Sequence, residues 1–247
     1  MNVLAIIQAR MSSSRLPNKV LLDLEGKPVL EHIYQRLKRS KIIDKVVIAT
    51  SDDISDDPIG LFCSKINIPI YRGSLDDVLS RFYFAAQLNN ADIIVRVTGD
   101  CPVVDVGIVD ELIEKVLTNS YDYACLSGEF PDGLDCSVMT FDSLEDAHLN
   151  ARLASDREHV CPFIEKQPQK FKIYNYYKFT NLGHHRWTLD EEDDYVLIGE
   201  IFKNLVNKNQ YFNYQDILNF LENNPLLKDI NSHIARNEGY HKSLADD

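Results

Sequence analysis

A chain of 247 residues, 45% hydrophobic, with 26 Lys or Arg against 38 Asp or Glu and a net charge of −12, can bury a full α/β core and is too acidic for general nucleic-acid binding. It has no apolar run of about 18 residues, so no membrane span is expected, and no basic start with a long apolar segment, so a cytoplasmic location is expected. Five scattered cysteines, Cys63, Cys101, Cys125, Cys136 and Cys161, without a C-x-x-C, argue against a disulfide framework or a zinc site.

Val3 to Ile7 form a short β-branched run suited to a central strand buried on both faces. After Gln8, the stretch Ala9 to Lys19 sets Arg10, Arg15 and Lys19 among Ser12, Ser13, Ser14 and Pro17, too polar for a core. Pro28 opens a helix with Val29, Leu30, Ile33, Tyr34 and Leu37 on one face. Lys45 to Thr50 reads as a second strand, Pro58 to about Ile66 as a helix and Ile68 to Tyr71 as a short strand. Arg72 to Phe82 reads as a glycine turn entering a helix whose first turn is acidic. Asp92 to Thr98 is the next strand, closed by Gly99-Asp100-Cys101-Pro102, and Val106 to Leu117 the next helix. Such alternation predicts a mostly parallel sheet covered on both faces.

From Tyr121 the rhythm changes. Tyr123 to Leu126 and Cys136 to Phe141 read as strands around a Gly/Pro/Asp loop, followed by helices at Ser143 to Arg152 and Asp156 to Gln167. Phe171 to Tyr177 alternates as an exposed or interface strand does, and Arg186 to Asp190 reads as a strand returning to the core. Glu192 to Val206 is a strong amphipathic helix, Tyr214 to Leu221 a shorter one, and Lys228 to Asp247 a polar tail.

The first loop leaves the carboxyl end of a central strand, where open α/β sheets place their ligands. Residues 1–45 carry nine Lys or Arg against four acids, and the other 202 carry seventeen against thirty-four. A positive field local to one loop of an acidic chain suits a small polyanion, although Arg36, Lys38, Arg39 and Lys41 also serve as the cationic end of the first helix. Serine hydroxyls, backbone N–H groups and cations together can cradle phosphates, yet neither G-x-x-x-x-G-K-[ST] nor G-x-G-x-x-G is present.

Gln8 to Leu21, Q-A-R-M-S-S-S-R-L-P-N-K-V-L, resembles the nucleotide-binding signature of sugar cytidylyltransferases such as the 3-deoxy-manno-octulosonate and acylneuraminate enzymes, with the SpsF-like spore-coat polysaccharide branch nearest. That branch usually has Gly where this chain has Asn18, and Asn is the non-glycine residue most tolerant of positive φ. The resemblance spans residue 3 to about 205 and returns at Asn237-Glu238-Gly239-Tyr240. It implies a Rossmann-like α/β nucleotide-diphospho-sugar transferase fold, a mixed, mostly parallel sheet with helices on both faces. It further implies one domain over residues 1–247, with a nucleotide-binding half at 1–120, a projecting acceptor-binding and dimerisation half at 121–210, and a C-terminal helix and tail at 211–247. The aromatic-rich stretch Phe171 to Phe179 is the expected homodimer contact.

The activity implied is transfer of CMP from CTP to a sugar, acidic or modified, with release of pyrophosphate, for a surface polysaccharide. Such transfer needs cations on the triphosphate and a divalent metal, and Mg²⁺ commonly takes one or two carboxylates plus phosphate oxygens. The resemblance assigns the metal to Asp100, in T-G-D-C-P, and Asp190, in T-L-D-E-E-D, and the triphosphate to Arg10 and Lys19. Gln8, Ala9, Ser12, Ser13, Ser14 and Arg15 complete the nucleotide site, with Arg72 and Asp77 bordering it. Pro131 to Asp135 and Ser155 to His159 resemble motifs that face the sugar, so Asp132, Asp135, Arg157, Glu158, His159 and Arg186 are the acceptor candidates; Asp156 stands where Glu is usual. Plainer readings exist for each: Asp100 as a turn residue, Asp190 as a helix cap with Asp193 completing a box, Arg72 and Asp77 as turn and cap, His159 as a core or capping histidine, Arg157 and Arg186 as ion pairs.

Two other functions compete. A glycosyltransferase of related fold generally holds its metal through Asp-x-Asp, and no two aspartates here lie two apart. A nucleotide-binding protein without catalysis is disfavoured by the presence of Arg10, Lys19, Asp100 and Asp190 together.

Overall fold

The computed structural model describes residues 1–236, so Asn237 to Tyr240 lie outside the described residues. Val3–Gln8 (β1) occupies the middle of a seven-stranded sheet, sending Val3, Ala5 and Ile7 into one core cluster and Leu4 and Ile6 into the other. Successive strand residues face opposite sides, so five apolar residues in a row suit only a strand covered on both. A small hairpin of Asp23–Leu24 (β2) and Lys27–Pro28 (β3) leads to Val29–Leu37 (α1). Then come Lys45–Ser51 (β4), Asp57–Lys65 (α2), Ile70–Gly73 (β5), Val78–Leu88 (α3), Ile93–Thr98 (β6) and Val106–Asn119 (α4). The second half adds Tyr123–Leu126 (β7), Cys136–Thr140 (β8), Phe141–Asn150 (α5), Ala154–His159 (α6), Pro162–Glu165 (α7), Ile173–Tyr176 (β9), Glu192–Leu205 (α8) and Tyr214–Glu222 (α9).

The sheet order is β5-β4-β1-β6-β8-β7-β9, and β8 alone runs against its neighbours. The carboxyl ends of the other six strands therefore share a rim with the start of β8, which gathers the loops after β1 and β6 and the loop before β8. Apolar faces of α1, α2, α4, α8 and α9 cover one side, and those of α3, α5 and α7 the other. No helix among the described residues is long and apolar enough to cross a membrane.

The mixed, mostly parallel sheet is as expected, and four local expectations need correction. Arg186 to Asp190 is not a strand but a buried extended segment with a single bridge from Arg186 to Asp132, because β6 already has β1 and β8 on its two edges. The helix expected over Asp156 to Gln167 is two short ones, broken at Val160 with φ of 69°, after which Pro162 starts the second. The third strand is Ile70–Gly73, displaced because the Ile68 N–H closes α2 on the Cys63 carbonyl at 2.9 Å. Only Ile173–Tyr176 of the aromatic stretch pairs in the sheet, while Phe171 and Phe179 are buried.

Candidate active site

The first loop is held by a carboxylate that the motifs do not contain. Asp56, fully buried, accepts hydrogen bonds from the Thr50 hydroxyl at 3.0 Å, the Ser51 N–H at 3.1 Å and the Met11 N–H at 2.7 Å, tying the loop to the end of β4. At the far end, Asn18 adopts φ of 60° and ψ of 17°, the left-handed conformation for which Asn is the tolerated substitute for Gly. A single turn, Lys19–Leu21, follows. Lys19 is thereby aimed across the rim, with Nζ 2.8 Å from Asp100 Oδ2 and 2.6 Å from Asp190 Oδ1. Arg15 pairs with Asp190 at 3.2 Å and Glu191 at 3.1 Å.

Asp100 and Asp190, ninety residues apart in sequence, are joined through the backbone. The Asp100 carbonyl accepts from the Leu189 N–H at 2.9 Å and the Thr188 hydroxyl at 3.3 Å. Asp190 is then set by Asp194, a fully buried carboxylate at the start of α8 that accepts from the Asp190 and Glu191 N–H groups at 2.9 and 3.0 Å. The helix cap is Glu191 and the box is closed by Asp194, so neither Asp190 nor Asp193 takes the capping place considered for it. Asp194 also holds Arg186 through two nitrogens at 2.9 Å each and accepts from Asn231 at 2.8 Å. Arg186 continues to Asp132 at 2.9 Å and Asp190 at 3.4 Å.

The loop before β8 is stitched to the same segment. Asp132 N–H donates to the His185 carbonyl at 3.0 Å, and Trp187 N–H to the Asp132 carbonyl at 2.7 Å. Between them Gly133 has φ of 96°, and a Cβ there would lie 2.4 Å from the Trp187 carbonyl carbon, so only glycine fits. Arg236 closes this side, stacking 4.1 Å from the Phe130 ring centre and approaching Asp132 at 3.8 Å and Asp135 at 3.5 Å.

These loops surround an open cleft of about 490 Å³. Gln8 at the end of β1 and Ala9, Arg10, Ser12, Ser13, Ser14, Arg15 and Lys19 of the first loop line it, with Asp100 from the loop after β6, Asp132 and Asp135 from the loop before β8, Glu158 and His159 from α6, and Arg186 and Asp190 from the segment before α8. Arg10 reaches across to Glu158 at 3.5 Å. Three candidates lie outside the lining. Arg72 binds the Ser51 and Asp53 carbonyls at 2.8 and 3.0 Å and Asp57 at 2.7 Å, while Asp77 caps α3 through Ser80 N–H at 2.9 Å and pairs with Arg157 at 2.6 Å. Arg157 also donates to the His148 and Ala151 carbonyls, so geometry gives all three a supporting position. Sequence reasoning missed Asp56, Asp194 and two cleft arginines, Arg81 and Arg96. The latter pair had a visible signal, a charge inside otherwise apolar V-L-S-R-F and I-V-R-V patterns.

Electrostatics follow the pairings. Burial works against the Lys19 ammonium, but Asp100 and Asp190 more than offset it and raise its pKa. Burial also works against the Asp100 carboxylate, and Lys19 with the Thr98 hydroxyl overcomes it, holding Asp100 well below the usual carboxylate range. Asp132 goes the other way: burial and the neighbouring Asp135 outweigh Arg236 and Arg186 and push it up to about 7. The folded protein therefore keeps a proton on Asp132 at pH values where the unfolded chain has lost it, and this group's contribution to stability falls as pH rises from about 4 to about 7. Asp132→Asn is expected to flatten that slope, so the difference in Tm between variant and wild type should shift in the variant's favour from pH 5 to pH 8. A difference constant over that range contradicts the assignment.

Among the described residues no three His, Cys, Asp or Glu side chains form a metal cluster. Comparison with known proteins identifies the family. A family model described as Cytidylyltransferase matches residues 4–230. Protein MJ1063 of Methanocaldococcus jannaschii is 38% identical over 243 residues, covering 96% of this chain and 97% of that one. The spore coat polysaccharide biosynthesis protein SpsF of Bacillus subtilis is 32% identical over 209 residues, covering 82% and 87%. The structure of a cytidylyltransferase from Leptospira borgpetersenii superposes with a TM-score of 0.87 at 32% identity, covering 92% and 96%. With the match extending over both sides of the cleft, the chain belongs to the cytidylyltransferase family.

Proposed function

We propose that the protein transfers CMP from CTP to a sugar acceptor and releases pyrophosphate, as a step toward a surface polysaccharide. The observation that carries this reading is the convergence of Lys19, Asp100 and Asp190, from three distant parts of the chain, on one point of the cleft. Arg10, Arg15 and Lys19 neutralise the triphosphate, the serines and backbone N–H groups of the first loop direct it, and the same cations stabilise the departing pyrophosphate. The acceptor lies toward Asp132, Asp135, Glu158 and His159, where the His159 imidazole orients its hydroxyl toward the α-phosphorus.

A divalent ion fits this donor set. Asp100 and Asp190 already reach one common cation, the Lys19 ammonium, and Mg²⁺ needs no more than two carboxylates when phosphate oxygens complete its shell. Asp100 and Asp190 would hold it, and it would supply charge neutralisation at the α-phosphate and polarisation of the acceptor oxygen. Lys19, released from the two carboxylates, would then pair with triphosphate oxygens.

A homodimer through the aromatic stretch Phe171 to Phe179 belongs to the same reading: among the described residues β9 pairs only with β7, and Tyr177 beside it is 71% exposed. Sedimentation as a monomer at micromolar concentration would remove that part. A CTP-using step also suits a cytoplasmic location. The activity is tested by ³¹P NMR of CTP, Mg²⁺ and a sugar panel with the protein: a CMP–sugar diester signal with equimolar pyrophosphate is expected, and CTP left intact across the panel refutes it.

A further inference from the structure

Arg96 stands in β6 between Val95 and Val97, which both face the first core cluster. Strand alternation turns Arg96 to the other face, in line with Ile94 and Thr98. On that face Ile94 packs among Leu4, Ile6, Tyr123 and Met139. A guanidinium carries a full charge, so this strand takes a charge into an apolar layer. Its Nε is buried without a hydrogen-bond partner, and no ion pair of Arg96 occurs among the described residues.

Arg81, buried in the same cleft, likewise has Nε and Nη1 without a hydrogen-bond partner, whereas Arg186 and the half-buried Arg157 are paired. Arg186 holds Asp194 through two nitrogens and Asp132 through a third, and Arg157 holds Asp77 and two carbonyls. Among the described residues no carboxylate pairs with Arg96, and its buried Nε is a donor of the kind normally satisfied. Arg96 also lines the cleft.

Its position says which half of the cleft it serves. The triphosphate cations Arg10, Arg15 and Lys19 all follow β1, whereas Arg96 is on β6, in register with Ser137 of β8, the strand entered from the Asp132–Asp135 loop. Arg96 shares the cleft lining with Glu158 and His159 of α6, and the Cys161 thiol, just after α6 and raised by burial, feels the opposing charge of Arg96. Arg81 lines the cleft from α3 and feels Asp56, the anchor of the first loop, and Arg10 of that loop.

We propose that Arg96 is a specificity-determining residue of the acceptor half, gripping an anionic group of the acceptor, a carboxylate or a phosphate, with its planar guanidinium. The proposal rests on the transferase reading above for the word acceptor, and on the unpaired guanidinium for the anion. An arginine fork matches both anions with two parallel N–H bonds.

The test uses the full chain with CTP and Mg²⁺, and 3-deoxy-manno-octulosonate, ribose 5-phosphate and ribose as carboxylate, phosphate and neutral probes. Wild type and Arg96→Met are compared by melting temperature and by pyrophosphate release. Three results are expected. Without ligand, Arg96→Met melts at or above the wild-type temperature, since methionine fills the same apolar layer without an unpaired charge. Wild type is stabilised by one of the anionic probes and not by ribose, and the variant's apparent affinity for that probe is weaker by at least about tenfold. The shift caused by CTP alone is the same in both proteins. A lower ligand-free melting temperature makes Arg96 a structural residue and overturns the proposal; so does an equal response of both proteins, a loss of the CTP shift, or wild type responding to neither anion. Response to the carboxylate or to the phosphate tells the two sources apart. Failure of the transferase reading looks different: anion binding that depends on Arg96, with no pyrophosphate released.

Discussion

Asp190→Asn is expected to lower kcat/KM by at least about 10³-fold, on the order of 4 kcal/mol of transition-state stabilisation, with little change in melting temperature. The amide keeps the shape of the carboxylate and removes its charge. Lys19 still has Asp100 at 2.8 Å, and Arg186 still has Asp194 and Asp132, so the fold loses no essential pair. What goes is one of two carboxylates able to share a cation in the cleft. Asp194→Asn provides the contrast. That carboxylate is fully buried, holds Arg186 bidentately and receives the N–H groups of Asp190 and Glu191, so its loss should cost both activity and about 3–5 kcal/mol of stability, the usual cost of breaking a buried ionic network. Steady-state kinetics and thermal melts of the two variants separate the roles. Activity of Asp190→Asn within a few-fold of wild type would refute the metal assignment.

Gly133→Ala is expected to be the most damaging of the Gly→Ala changes among the described residues. The left-handed φ of 96° costs an L-residue about 1–2 kcal/mol, and overpacking adds about 1–3 kcal/mol. The overlap is with backbone, at 2.4 Å from the Trp187 carbonyl carbon, 2.5 Å from its oxygen and 2.6 Å from the Thr188 nitrogen, so no side-chain rotation relieves it. At roughly 2–4 °C per kcal/mol for a chain of this length, a fall of about 10 °C in Tm follows. Activity should fall with it, because the backbone pushed away is that of residues 186–190, which carries Arg186 and Asp190. Gly26→Ala serves as control: φ is 83° there but nothing lies within 4 Å, so only the conformational cost of about 1–2 kcal/mol remains. Equal melting temperatures for the two variants would contradict the close-approach argument.

The parts legible in the sequence are those set by local pattern. A β-branched run ending at Gln8 and followed by serines and cations announces both a central strand and a ligand loop, and Asn18 announces the left-handed residue before Lys19. Parallel topology followed from the alternation of strands and helices. What escaped depends on tertiary partners. Trp187 and Leu189 alternate with polar residues as in a strand, yet the neighbouring places in the sheet are filled, so the segment is held instead by the Asp100 carbonyl and by Gly133's open face. Within D-E-E-D-D at the start of α8, every acid looks alike in sequence. Only the position of Arg186 decides that Asp194 turns inward and Asp190 toward the cleft. Val160 gives no sequence warning that it will break a helix at φ of 69°. Asp56 reads as a surface acid in a polar run and proves to be the buried anchor of the first loop.

The central claim, a cytidine nucleotide held by the first loop and completed by a divalent ion at Asp100 and Asp190, is tested most directly by thermal melts with CTP, UTP, ATP, GTP and dTTP, each with and without Mg²⁺. A ligand at a hundred times its dissociation constant stabilises the folded state by about 2.7 kcal/mol, a readily measured rise in Tm. The prediction is a shift largest for CTP and enhanced by Mg²⁺ in wild type, with the enhancement absent in Asp190→Asn. A shift largest for another nucleotide, or no shift with any, would contradict it.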